Sequence, residues 1–187
     1  MSTSLPNAPY HHGNLRQALL EAALVILEKE GEAGLGLRDL ARAVGVSPAA
    51  PYRHFDSRSA LLEALAVTGY QRFTQRMEAI ATDDTLDHMT AMGRTYVKFA
   101  LDNPNLFRLM FSPVLRRDNR PGLRMAADAA YRTLRHVTGE DLDTGRVAAL
   151  AAWARVHGLA VLLLDGQIAI QAGEDIEALI VQIIEKH

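Results

Sequence analysis

The chain has 187 residues, 49% hydrophobic and 22% charged, with a formal net charge of −2, so it has ordinary globular composition and enough length for one large domain or for a small domain joined to a larger one. It contains no cysteine, which excludes disulfides, thiolate metal sites and cysteine nucleophiles. No apolar run is read as approaching a bilayer span and the first residues lack a signal-peptide core, so a soluble cytoplasmic protein without a membrane partner is expected.

Residues 1–13 carry Pro6, Pro9 and Gly13 without periodicity and read as a flexible arm. Asn14 with Gln17 three positions on makes a capping-box pattern. The helix that follows carries Leu15, Leu19, Ala22, Ala23, Ile26 and Leu27 on one stripe and stops at Gly31. Leu37, Leu40, Ala41 and Val44 recur at i, i+3, i+4, i+7, and Gly45 sits where a left-handed residue ends such a helix. Ser47 then suits an N-cap and Pro48 the first helical position, where a missing N–H costs nothing. Ala49, Ala50, Tyr52, Arg53 and His54 follow before Phe55. Residues 36–55 thus form a helix, a glycine turn and a short second helix, the pattern of a helix-turn-helix.

Asp56-Ser57 caps a long helix expected from Arg58 to about Thr82. Asp83-Asp84 opens another, which Asn103-Pro104 ends. A short helix to Phe111, one from Gly122 to about Val137, a long one from Thr144 and a last one from Glu174 to about Lys186 complete the chain. The fold class is all-α with about nine helices: a DNA-binding domain over 14–73 and a larger helical domain over 74–187. Charge adds modest support. Between Gly36 and Arg58, Arg38, Arg42, Arg53 and Arg58 stand against only Asp39 and Asp56.

The block from Asn14 to Ala66 resembles the TetR family of bacterial transcription regulators. The resemblance rests on Leu37-Arg-Asp-Leu-Ala41, Val44-Gly-Val-Ser-Pro48, Tyr52-Arg-His-Phe55 and Ser57-Arg-Ser-Ala-Leu-Leu62, in this order. It implies a DNA-facing set of Arg38, Ser47, Pro48, Ala49, Ala50, Tyr52, Arg53, His54 and Arg58. Small residues at 49 and 50 permit close backbone approach, and arginine suits guanine edges or phosphate. Two positions depart from the family: Gly36 stands where Ser or Thr is usual, and Pro51 stands where a helix former is usual. Pro51 removes the first intrahelical hydrogen bond, so an irregular start to the recognition helix is expected.

Trp153-Ala-Arg-Val-His157-Gly158, supported by Asn103 to Phe111, resembles a C-terminal domain type named for its Trp-His-Gly pattern. The family resemblance implies an effector pocket, lined by Met77, Met92, Tyr96, Phe99, Phe107, Met110, Tyr131 and Trp153, with His157 as polar anchor. The same residues also read as a packed core with a hydrogen-bonded His157. Gly158 reads as a site of close helix approach. The last two helices are apolar over a wide arc, and by resemblance form a two-fold homodimer interface, with Ala152, Val156, Leu159, Leu163, Ile176, Leu179, Ile180 and Ile183 as its residues. Such a dimer presents two recognition helices to major grooves about 34–36 Å apart, hence a palindromic double-stranded DNA operator.

The expected function is therefore a ligand-responsive transcription regulator, most simply a repressor released by a small, mainly apolar effector. No metal or cofactor is expected. An enzyme is disfavoured because no Glu-x-x-His pair, Gly-rich phosphate loop or nucleophile elbow occurs, and Asp84 with His88 is a lone pair. The remaining alternative is a helical dimeric protein-interaction module without sequence-specific DNA binding.

Overall fold

The computed structural model describes residues 15–80, 85–115, 120–138, 143–171 and 173–185. The expected arm, the Asn14 cap and Asp83-Asp84 lie outside them. The described residues form eight α-helices and no strand: α1 (Leu15–Glu30), α2 (Leu37–Val44), α3 (Arg58–Glu78), α4 (Thr85–Asp102), α5 (Pro104–Met110), α6 (Pro121–Thr138), α7 (Thr144–Leu164) and α8 (Ile176–Glu185). Single 3-10 turns occur at Glu32–Gly34 and Pro51–Arg53. The chain divides into two compact units, 1–61 and 62–187, and passes from one to the other inside α3.

In the first unit α1 buries Leu19, Leu20, Ala23, Leu24 and Leu27, facing Leu37, Leu40 and Ala41 of α2 and the ring of Phe55 in a common core. α2 stops where Gly45 takes φ 76°, a conformation glycine reaches without cost. The Val46 N–H reaches the Ala41 carbonyl at 2.9 Å and the Gly45 N–H that of Arg42 at 3.2 Å, the paired bonds of a Schellman cap. At the start of α3, the Ser57 hydroxyl accepts the Ala60 N–H at 3.1 Å.

The expected ninth helix is absent. Residues 48–50 form a turn, closed by the Ala50 N–H on the Ser47 carbonyl at 2.9 Å, and Pro51–Arg53 make one 3-10 turn. The cause is Pro51: it has no N–H for the Ser47 carbonyl, and its ring crowds the residue four back. Its own carbonyl accepts the N–H groups of both His54 and Phe55, each at 2.9 Å.

The second unit is built on edge-to-face rings. Phe73 of α3 meets Tyr96 at 5.2 Å and Phe99 at 5.3 Å between centroids, and Tyr96 meets Phe107 at 5.8 Å. Each such pair contributes roughly 0.5–1.5 kcal/mol beyond its buried area. The Tyr70 hydroxyl donates to the Met110 carbonyl at 2.9 Å, tying α3 to the end of α5. A partly buried ion pair, Arg120 with Glu63, joins the approach to α6 to α3. Arg108 donates to the Leu164 carbonyl at 3.1 Å and to Asp165 at 2.6 Å, closing the C-terminal end of α7.

α7 corrects two expectations. By length and composition it is apolar enough to cross a membrane, although only 22% of its apolar stretch is buried within the chain. Arg155 and His157 interrupt the run in the sequence, yet the helix averages apolar across them. Gly158 is not a site of close approach within the chain, because a Cβ there meets nothing within 4 Å. Close approach occurs instead at Gly69, where a Cβ would stand 2.7 Å from Met110 Sδ and 3.1 Å from Leu106 Cδ1, both fully packed. Gly69→Ala therefore gains about 1 kcal/mol of helix propensity but overpacks this contact by roughly 1–3 kcal/mol. A lower urea midpoint with unchanged slope is expected; a raised midpoint would show that the α3–α5 contact yields freely.

Candidate functional site

The first unit presents an exposed surface. Arg38, Ser47, Pro48, Ala49, Tyr52, Arg53 and His54 are exposed, with Ala50 half-buried between them. Buried Pro51 and Phe55 anchor the segment from beneath, so Tyr52, Arg53 and His54 project from a short, fixed turn. Among the described residues neither the Arg38 nor the Arg53 side chain has a hydrogen-bond or ion-pair partner, and both guanidinium groups are free to meet an anion. Arg42, exposed beside them, is paired with Asp39. α2 starts without a side-chain cap because Gly36, at its N-cap, has no side chain, and the Asp39 carboxylate lies 2.7 Å from where a Cβ would be.

Arg58 is employed differently from its neighbours. Its Nε donates to the Leu35 carbonyl at 2.8 Å, its Nη2 to the Glu32 carbonyl, and its Nη1 meets the Glu32 carboxylate at 3.3 Å. It thus ties the 3-10 turn that leads into α2 to the first residue of α3. Arg16 stacks over the Phe55 ring at 5.4 Å, covering the core beneath the exposed segment.

The second unit holds a cavity of about 600 Å³. From α3 come Tyr70, Phe73 and Met77; from α4 Met89, Thr90, Met92, Gly93 and Tyr96; from α6 Asp128, Tyr131 and Thr133; from α7 Arg146, Ala152, Trp153, Arg155 and Val156; from α8 Ile184 and Glu185; Phe111 completes the wall. Of the residues expected there, Met77, Met92, Tyr96, Tyr131 and Trp153 are on the wall. Phe99, Phe107 and Met110 are packed into the core instead, because ring and methionine positions at helical spacing do not distinguish a wall from a filled interior. Tyr70, Phe111 and Ile184 went unread: Tyr70 lies mid-stripe in α3 and reads as core, Phe111 falls just past the end of α5, and the fit of Ile184 depends on Gly93, where a Cβ would stand 2.8 Å from Ile184 Cδ1.

His157 lies behind the wall, not on it. The Tyr96 hydroxyl meets its Nδ1 at 2.8 Å, and Trp153 Nε1 donates to the Tyr96 oxygen at 3.2 Å. Trp153 can only donate, so the Tyr96 oxygen accepts in that bond; a Tyr96 hydroxyl that donates in turn to Nδ1 leaves the His157 proton on Nε2. The Phe107 and Phe111 rings also enclose the imidazole, at 5.5 and 4.6 Å. Burial lowers the His157 pKa and keeps the ring neutral.

The residues expected at a dimer interface divide. Ala152, Val156 and Leu159 point inward, the first two onto the cavity, and Ile180 is buried. Leu163, Ile176, Leu179 and Ile183 are half-buried. α7 is apolar over most of its circumference, so its sequence does not fix which arc faces in.

A histidine whose folded pKa is lowered contributes stability that is complete above its unfolded value of about 6.5 and lost as pH falls from there through the folded value. The thermal midpoint is therefore expected to fall more steeply between about pH 7.5 and 5.5 in the parent than in His157→Gln. Parallel curves would show that His157 titrates as it does in the unfolded chain.

The family model described as "Bacterial regulatory proteins, tetR family" matches residues 19–65, and "Tetracyclin repressor-like, C-terminal domain" matches residues 89–186. No curated protein matches the sequence. Among solved structures, a protein of unknown function from Rhodococcus sp. RHA1 is 33% identical, with a TM-score of 0.82 and 96% of each chain covered. A putative TetR-family transcriptional regulator from Rhodococcus sp. is 25% identical, with a TM-score of 0.64, covering 91% of this chain and 96% of that one. The regulator FadR from Bacillus subtilis, in complex with stearoyl-CoA, shares the fold at 15% identity, with a TM-score of 0.68 over 91% of this chain and 96% of that one. With the C-terminal model spanning more than half of the sequence and the N-terminal model resting on the helix-turn-helix, the chain belongs to the TetR family of bacterial regulatory proteins and is a DNA-binding regulator of transcription.

Proposed function

We propose that the protein is a homodimeric repressor that binds a palindromic operator through Arg38, Ser47 to Ala50, Tyr52, Arg53 and His54, and is released by a small, mainly apolar effector held in the cavity. The observation that carries this reading is the continuity of α3. Tyr70, Phe73 and Met77 line the cavity, and the same helix begins at Arg58, which holds the 32–35 segment ahead of α2. A ligand that shifts the α3 wall has a covalent route to the DNA-binding unit. It need only favour the non-binding state by a few kcal/mol. Arg58 acts here as a positioning residue, and phosphate contact falls to Arg38 and Arg53, whose donors are unoccupied among the described residues.

Operator binding is tested on DNA selected from random sequence by the protein itself. Arg53→Ala is expected to weaken binding at least about tenfold and to lower the salt dependence by about one phosphate contact. An unchanged affinity and salt slope would remove Arg53 from the interface and favour a helical module that does not read DNA.

The dimer reading rests on the outer arc of α7. Val147, Ala151, Ala154, Gly158 and Leu162 follow one another at helical spacing on one stripe, with Val147 65% and Leu162 46% exposed. Ala151 also borders the cavity. Together with the half-buried Ile176, Leu179 and Ile183 of α8, this stripe is the surface we assign to a second copy of the chain, in a cytoplasmic protein that needs no membrane. Gly158→Arg is the selective test. A Cβ there meets nothing within 4 Å among the described residues, so the helical circular dichroism should persist while light scattering reports monomers. A Gly158→Arg protein that remains dimeric would place the interface elsewhere.

A further inference from the structure

We infer that a second copy of the chain completes the cavity: the partner in the dimer lies across its open side, so the dimer holds an apolar ligand more tightly than a single chain does. This rests on the cavity and dimer readings above. The first observation is where the cavity is open. On α3 and α4 its wall is largely buried, with Phe73, Met77, Met92 and Tyr96 turned inward. On α7 the wall includes Ala148, Ala151 and Arg155, and all three are exposed. They fall at i, i+3 and i+7, on one stripe of the helix. Beside them α8 supplies Ile184 and the exposed Glu185. Arg155 Nη1 donates to the Ile184 carbonyl at 3.1 Å, which holds the two helices side by side at the opening.

The second observation is continuity. The exposed stripe of α7 runs on at the same spacing through Gly158 and Leu162, which belong to the surface assigned to a second copy, and Ala151 belongs to both. α8 divides in the same way, with Ile184 on the cavity and Ile183 beside it on the assigned surface. Ala151 lies only about 10 Å from Gly158 along the helix axis, and a stable interface of about 800 Å² per partner is wider than that. A copy seated on Gly158 therefore extends over the opening. The third observation is charge. The opening carries one base and one acid, Arg155 and Glu185. In a two-fold contact a patch meets its own copy, and a patch holding both signs does so without an excess of like charge. An apolar ligand in a single chain leaves part of its surface in water along Ala148 and Ala151. Covering about 50 Å² of it raises affinity about tenfold. Binding and assembly are linked, so the ligand tightens the dimer by the same factor at each of two sites, about a hundredfold in all. An effector held in this way releases DNA by reshaping an intact dimer and not by splitting it.

The test uses the full chain and N-phenyl-1-naphthylamine, an uncharged apolar probe that fluoresces out of water. Trp153 is the only tryptophan and stands on the wall, so energy transfer from it marks probe in the cavity. Sedimentation first gives the dimer dissociation constant of the parent. Titrated above and below that concentration, the probe is expected to bind dimers at least about tenfold more tightly than monomers, and saturating probe should lower the dimer dissociation constant about a hundredfold. Gly158→Arg lies outside the cavity wall and should bind like the diluted parent at every concentration. Equal affinity in dimer and monomer, with transfer from Trp153 in both, overturns the partner's part in the site and leaves the cavity reading intact. A monomeric Gly158→Arg protein that binds as tightly as the parent dimer does the same. No transfer at any concentration overturns the cavity as a binding site. A parent that stays monomeric, or a Gly158→Arg protein that stays dimeric, overturns the assigned interface and this inference with it.

Discussion

α7 is apolar over most of its circumference, interrupted by the exposed Arg146 and Arg155, and the apolar arcs of such a helix have to be covered. Its surroundings in the second unit can be derived from that one requirement. The arc with Val156, Leu159 and Ala160 is buried in the unit, where α7 packs on α4 and α6. A flank carrying Trp153 and His157 is neither core nor surface. Two of its three polar nitrogens, Trp153 Nε1 and His157 Nδ1, find their partner in the Tyr96 hydroxyl. Along the arc through Val147, Ala154, Gly158 and Leu162, only Gly158 is partly covered by the described residues. A core, a polar relay beside a cavity, and a surface assigned to a second copy are three solutions to one packing problem.

The relay determines how the cavity wall can respond. Trp153, Tyr96 and His157 form a line of donor to acceptor in which each group fixes the next, and burial keeps His157 neutral at its end. Tyr96 is also in edge contact with Phe73 of α3 and Phe107 of α5. A molecule that presses on Tyr96 or Trp153 therefore meets side chains that cannot turn independently. Movement has to pass into helices, because close-packed rings held by hydrogen bonds have few intermediate arrangements. α3 is among the helices reached, through Phe73. In the proposed switch this is why a small ligand acts on a helix and not only on the side chains it touches.

Much of this was legible in the residues where local backbone chemistry decides. Gly45, Ser57 and Pro104 mark helix ends because a positive φ, a hydroxyl acceptor and a missing N–H each act within a few residues. Two things were not legible. The phase of α7 was hidden because a helix apolar over most of its circumference has no preferred face, so Ala152 and Val156, read as interface, lie on the cavity. The cavity itself was half-read. Met92, Tyr96 and Trp153 on the wall are of the same residue types as Phe107 and Met110 in the core, and only the space left between helices separates them. His157 was recognised as important but placed one layer too far in. Its partner Tyr96 stands on α4, a helix removed in sequence, and no spacing rule on α7 reveals that.

Pro51 lies between these cases. Its local effect, loss of the hydrogen bond to Ser47, follows from its ring, but the result depends on burial. With Pro51 and Phe55 both buried, the segment is held at its two ends while the residues between them point outward. A regular helix of the same length would present side chains around a full turn and owe its stability to continuing bonds along the axis. The 3-10 turn here presents Tyr52, Arg53 and His54 together from a backbone already fixed by bonds from His54 and Phe55 to the Pro51 carbonyl. Little ordering is left to be done when such a segment meets a rigid surface, so the entropy cost of contact is small. The cost is breadth: few side chains reach outward. A surface of that kind depends on each contact it does make, so in the proposed DNA contact the guanidinium groups of Arg38 and Arg53, unpartnered among the described residues, weigh more than the modest local charge suggests.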